Sequence, residues 1–275
     1  MSDYIVSTVG RTLWAGTLLV GIPLIVARLL QKIGFIIDET GFLKCVLGYH
    51  WCGRFYLYFV AIGVACHETG HAIGAWMTGN RVTEFVPFRL DSPEHPDWIG
   101  WIYHTVDGGV WGRISEAIIC TGPLWFGGLV ILLLTRFLIG QEMIVSFYDY
   151  FADGELPGLF SYLVACLRCA FLLCCEIARG MLFSGWKFFL WAYLVFCVAS
   201  NMGMSRGDLK LARLGLLLIF GMVLALLLFP ITGRWIAVVV AVLLPKFFII
   251  HVLMILAVFI NTVFLFLERL VVRIT

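Results

Sequence analysis

Charge is scarce in this chain. Asp, Glu, Lys and Arg make up 13% of its 275 residues, while 62% are hydrophobic. Soluble domains carry about 25% charged residues, so the balance excludes an ordinary water-soluble protein and implies an integral membrane protein. The lipid bilayer is then its first partner. The formal net charge is only +2 and no basic run is long enough to track a phosphate backbone, which excludes nucleic acid. No polar stretch is long enough for a soluble domain, and there is no internal repeat. The nine cysteines are odd in number, and most, among them Cys66, Cys120, Cys166, Cys169 and Cys197, sit in apolar runs. They read as small hydrophobes rather than as a disulfide framework. The first apolar run lacks a small-x-small cleavage site after it and reads as an anchor helix.

A helix that crosses a hydrocarbon core of about 30 Å needs about 20 apolar residues. Runs at 55–77, 117–135, 214–232 and 247–267 meet that need. A run at 13–36 does so if Arg28 and Lys32 snorkel, and runs at 156–177 and 188–201 are weaker because of Arg168 and short length respectively. The stretch 235–267 is too long for one straight crossing, and Pro245 is its natural kink. The expected architecture is therefore all-α, with six to seven transmembrane helices in one domain over 1–275. It has an N-terminal anchor helix at about 12–36, a core at about 55–232 and a kinked C-terminal pair at about 235–267.

Two segments depart from the helical pattern. Alternating apolar residues at 82–88 and 98–103 flank the turn-forming run Asp91-Ser92-Pro93-Glu94-His95-Pro96-Asp97. That is the signature of a hairpin, here a small membrane-associated one. Residues 141–155 are amphipathic and acidic and read as a surface helix. Basic residues cluster after the first span, around Arg206, Lys210 and Arg213, and at the C-terminus. With seven spans these clusters share one side, which the positive-inside rule makes cytoplasmic, although Arg81, Arg89, Arg113, Arg179 and Lys187 oppose the bias. A multi-pass protein with its centre nearer the cytoplasmic face is the expectation.

The chemistry lies in His67-Glu68-Thr69-Gly70-His71. Two histidines four residues apart project from one helix face, a turn apart, where one Zn²⁺ can accept both at about 2.0–2.1 Å. Glu68 points elsewhere and can exchange protons with an activated water. Three fixed residues are modest evidence in a soluble helix. Here they follow the apolar run 55–66, about 18 Å of helix. A carboxylate at such depth costs about 2.5–3.5 kcal/mol, and a bound cation compensates it.

A zinc hydrolase needs a third protein ligand and an open fourth position. Asp208, Glu176 and His251 are the main candidates, with His104 and Glu116 flanking the 117–135 span. Asp208 also has a simpler explanation. Ser205-x-x-Asp208 resembles a capping box, with Asp in place of Glu at the third helical position.

Four features in order resemble the site-2 protease family of intramembrane metalloproteases. They are His67-Glu68-Thr69-Gly70-His71-Ala72 with the turn Thr78-Gly79-Asn80; the β-like Arg81-Val82-Thr83-Glu84-Phe85; Thr121-Gly122-Pro123-Leu124 within a span; and Asn201 ahead of Asp208 at a helix start. The resemblance covers roughly 55–215. It implies His67, His71 and Asp208 as zinc ligands, Glu68 as the catalytic base, and Asn201 in contact with the substrate or the transition-state oxygen. The activity it implies is cleavage of a membrane-embedded or membrane-proximal protein. Such a substrate helix must unwind before its amides are exposed. The strand at 82–88, with Phe85 and Val86, can hold the extended chain by strand addition. Two other readings suit the same residues: a catalytically silent subunit of a larger membrane complex with partner subunits, or an ion or metal transporter, since intramembrane His and Glu often mark ion paths.

Overall fold

The computed structural model describes residues 51–89, 100–140 and 185–227 without a break, and scattered residues of 10–32, 161–175 and 229–266. Six elements follow in order: α1 (Trp51–Met77), β1 (Val82–Val86), β2 (Trp101–His104), α2 (Gly109–Leu138), α3 (Trp186–Asn201) and α4 (Arg206–Leu227). The fold is mostly helical, with one two-stranded antiparallel sheet after α1. The anchor at 12–36, the turn at 91–97, the surface helix at 141–155, the span at 156–177 and the C-terminal pair at 235–267 lie wholly or partly outside the described residues.

Helices extend beyond the apolar runs that announce them. α2 begins at Gly109 rather than at 117, and α4 at Arg206 rather than at 214. The added turns carry charge, Arg113 and Glu116 in α2 and Arg206, Asp208, Lys210 and Arg213 in α4, so apolar counting misses them. Local pairing supports them instead: Arg113 and Glu116 bond at 3.1 Å one turn apart, and Ser205 caps α4. Two helices, α2 and 207–227 of α4, are long and apolar enough to cross a bilayer, whereas α3 has 16 residues.

α1 ends in a Schellman motif. Gly79 adopts φ +76°, its N–H donates to Trp76 O at 3.1 Å, and the Asn80 N–H reaches Ala75 O at 2.9 Å. The chain then turns into β1, which pairs with β2 in the register Val82↔His104, Phe85↔Ile102 and Val86↔Trp101, with a bulge between Val82 and Glu84. Both strands are shorter than the alternating runs. The base of the hairpin rests on α1: a Cβ added to Gly100 would lie 2.9 Å from Val64 Cγ1 and 3.0 Å from both Glu68 Cγ and Pro87 O.

α2 is the central helix and packs on α1, α3 and α4, while α1 also packs on α3. Leu124, Ile131, Trp191, Val195, Val198 and Met202 are buried in the shared core. Glycine lets the backbones approach, the device that membrane helix pairs also use. A Cβ on Gly70 would lie 2.6 Å from Pro123 Cα, one on Gly74 2.8 Å from Ile119 Cα, and one on Gly122 would strike Gly70 O. A Cβ on Gly63 would collide with Cys197 O and lie 2.5 Å from Asn201 Nδ2 on α3. The glycine within the histidine motif and the glycine of Gly122-Pro123 are thus two halves of one contact.

Because the obstructing atoms are backbone, Gly122→Ala cannot be absorbed by a rotamer change. It should destabilise the protein by about 1–3 kcal/mol, the usual cost of overpacking, read as a lowered thermal midpoint in detergent. The exposed Gly221, with open space around it, should tolerate alanine.

Candidate metal centre

α1 sends three adjacent side chains in three directions. His67 faces α3, His71 faces α2, and the stem of Glu68 lies towards the base of the hairpin. His67 Nδ1 lies 2.6 Å from Asn201 O, and His71 Nδ1 lies 2.8 Å from Ile119 O. A carbonyl oxygen only accepts, so each Nδ1 carries the proton and donates it. In a neutral imidazole the other nitrogen is then a bare lone pair.

Those two bare nitrogens face each other. His67 Nε2 and His71 Nε2 are 3.0 Å apart, with ring centroids at 4.7 Å. Neither can donate to the other, and two lone pairs at that distance repel. A cation between them removes the repulsion. Two metal–nitrogen bonds of about 2.0–2.1 Å at a tetrahedral angle would set the nitrogens about 3.3 Å apart, close to what is found. A shared proton would serve two acceptors. Here there is a third.

Asp208 supplies it. Its Oδ1 lies 3.6 Å from His71 Nε2 and its Oδ2 lies 3.9 Å from His67 Nε2. The donor atoms of His67, His71 and Asp208 all lie within 4.8 Å of one another. The donor set of two imidazoles and one carboxylate suits zinc in a hydrolytic site, with room for a fourth ligand. His71 is 6% exposed, and His67 and Asp208 are partly buried.

The capping box is present as well. The Ser205 N–H donates to Asp208 Oδ2 at 2.8 Å, and the Asp208 N–H donates to Ser205 Oγ at 3.0 Å. The two explanations of Asp208 are therefore one arrangement. Oδ2 is tied to the start of α4 and still lies near His67, while Oδ1 is turned towards His71.

The other candidates stand apart from this cluster. His251 Nδ1 shares a 2.6 Å hydrogen bond with the buried Tyr162 hydroxyl, and Glu116 is bonded to Arg113. Glu176 lies outside the described residues. His104 ends β2, and its buried Nδ1 has no hydrogen-bond partner among the described residues. Burial, aided by the neighbouring His71 imidazole, holds its pKa below the ordinary histidine value. The Asn201 side chain turns back along its own helix, Nδ2 donating to Cys197 O at 3.0 Å, so its contact with the centre is through its carbonyl. Val86 pairs with Trp101, and Phe85 is 41% exposed; among the described residues β1 pairs with β2 alone.

Sequence reasoning missed the carbonyls of Ile119 and Asn201, which orient the two imidazoles. A signal existed for each. Asn201 is the last residue of α3, where carbonyls lack helical donors, and Pro123 stands four residues after Ile119. No family model, curated protein or solved structure matches the chain.

Ser205→Ala removes the hydroxyl half of the capping box. It should cost about 1 kcal/mol of stability. Zinc affinity should fall by about tenfold, as when a group that orients a ligand is lost, measured by chelator competition. Unchanged affinity would mean that the cap and the ligand geometry are independent.

Proposed function

We propose that the protein is a multi-pass intramembrane zinc metalloprotease, with His67, His71 and Asp208 as metal ligands and Glu68 as general base. The observation that carries the reading is the pair of bare Nε2 atoms held 3.0 Å apart by two carbonyl-anchored imidazoles, with a carboxylate beside them. A neutral resting state without a cation would leave that geometry repulsive. The resemblance to the site-2 protease family, in motif order and type, supports the same assignment.

Membrane insertion is supported by the uncovered apolar surface. On α4, Leu214, Leu217, Phe220, Met222 and Leu226 are all exposed. A patch of that kind is rare on soluble monomers and ordinary against lipid. Six to seven spans follow if the apolar runs at 13–36, 156–177 and 247–267 also cross.

Zinc held by His67, His71 and Asp208 would supply a Lewis acid for the scissile carbonyl and lower the pKa of water towards about 7. Glu68, adjacent to His67 in the chain, would accept a proton as general base and return it to the leaving amine. The substrate is a membrane-embedded or membrane-proximal protein whose chain must be extended at the cut. β1, unpaired on one edge among the described residues, can hold that chain as a third strand, with Phe85 and Val86 beside it. Asn201 stands next to the centre on the α3 side, where its carbonyl accepts from His67.

Glu68→Gln should abolish cleavage of a transmembrane substrate while one zinc per chain stays bound, measured by product analysis and metal quantitation on the same preparation. Asp208→Ala should lose the zinc. Cleavage that persists in Glu68→Gln would refute the protease. Stoichiometric zinc in the wild type would separate this reading from a proton path, which needs none.

A further inference from the structure

We infer that Pro123 is a positioning residue for the metal centre: by withholding a backbone N–H, it leaves the Ile119 carbonyl available to His71. The inference rests on the metal-centre reading above. In an α-helix the carbonyl of residue i accepts from the N–H of residue i+4. For Ile119 that residue is Pro123, inside α2. Proline has no N–H, and its ring presses on the carbonyl one turn earlier, tilting it away from the helix axis.

A carbonyl so released is costly when buried, and Ile119 is 1% exposed. His71 Nδ1 lies 2.8 Å from this oxygen and gives it a donor. The exchange serves both groups. The carbonyl regains a partner, and the imidazole is fixed in the tautomer and orientation that leave Nε2 bare. The approach depends on the same turn of α2, because Gly70, one residue before His71, has room only for hydrogen against Pro123 Cα and N, each 2.6 Å from a Cβ built there. Gly122 completes the contact from the other side, as its missing Cβ makes way for Gly70 O. Gly-Pro in α2 is therefore a device with two parts: glycine admits α1, and proline frees the acceptor that α1 needs.

The substitution that tests this is Pro123→Ala, which restores the N–H and lets Ile119 O return to the helical ladder. A merely structural proline and a positioning proline differ in two readouts taken together. Zinc affinity, measured by chelator competition, should fall by about tenfold, the usual effect of losing the partner of a metal-ligating histidine. The thermal midpoint of the metal-free protein should stay level or rise, because a helix-interior proline has been removed. Wild-type affinity in Pro123→Ala would overturn the inference and leave the metal centre standing. A loss of affinity matched by a lowered metal-free midpoint would also overturn it, as general disruption. A wild-type protein without one zinc per chain would overturn both this inference and the metal centre. Should Pro123→Ala not fold, nitrogen NMR of the zinc-loaded wild type decides. His71 should show a protonated Nδ1 and a metal-shifted Nε2, and the reverse assignment would overturn the inference.

Discussion

Two hydrogen bonds from imidazole to backbone carbonyl fix the centre on which the rest depends. Without them His67 and His71 could each turn, choose either tautomer, and satisfy one another as donor and acceptor. With Asn201 O and Ile119 O at 2.6 and 2.8 Å, each ring is left with its lone pair turned inward. The pair is then a demand for positive charge in a weakly solvated setting. Both acceptors come from backbone that secondary structure has left short of a donor, one at the end of α3 and one four residues before a proline in α2. Beyond these carbonyls the cluster draws on one carboxylate, Asp208, which suits a chain with so little charge.

Helix spacing is the second constraint, and it serves the first. Carbonyls on α2 and α3 can reach the histidines of α1 only if the helices approach at backbone distance. Gly63, Gly70 and Gly74 open α1 on its two sides, and Gly122 answers from α2. The glycines and the histidines alternate along the same helix, so the contact that packs the bundle also sets the hydrogen bonds. A general stabilising role and a role in the centre are not separable at these positions.

Much of this was legible in the sequence, and the failures have physical causes. The helical class, the hairpin after the histidine helix and the pairing of His67 with His71 follow from apolar runs, alternation and spacing, whereas Asp208 stands out from Glu176 and His251 through the family resemblance. The start of α2 lies eight residues before its apolar run, where Arg113 and Glu116 pair, whereas the start of α4 was marked by the capping box at Ser205 even though hydropathy leaves that turn out. Asn201 was read for its side chain, whereas the group that touches His67 is its carbonyl. Backbone acceptors carry no residue identity, so residue patterns miss them unless the reader asks which carbonyls lack donors. Pro123 poses that question openly, and the Gly-Pro pair resembles a motif without declaring why the proline is there.

Asp208 shows why a local explanation need not compete with a functional one. As a cap, the residue satisfies the Ser205 N–H with Oδ2 and receives its own N–H bond from Ser205 Oγ. Such a box works at any helix start and asks nothing of the surroundings. What sets it beside the histidines is where α4 begins. α4 packs on α2, and Ala117 and Cys120 of α2 are buried with Met204 and Ala212, which bracket Asp208 in the chain. That packing brings the capped turn to the side of α2 that already presents Ile119 to His71. The cap ties down Oδ2, yet Oδ2 still lies 3.9 Å from His67 Nε2 while Oδ1 lies 3.6 Å from His71 Nε2, so the carboxylate spans the two imidazoles. A carboxylate free to swing would lose that placement. The ordinary chemistry of a helix terminus thereby fixes the acidic member of the cluster, and no further residue is needed to hold it there.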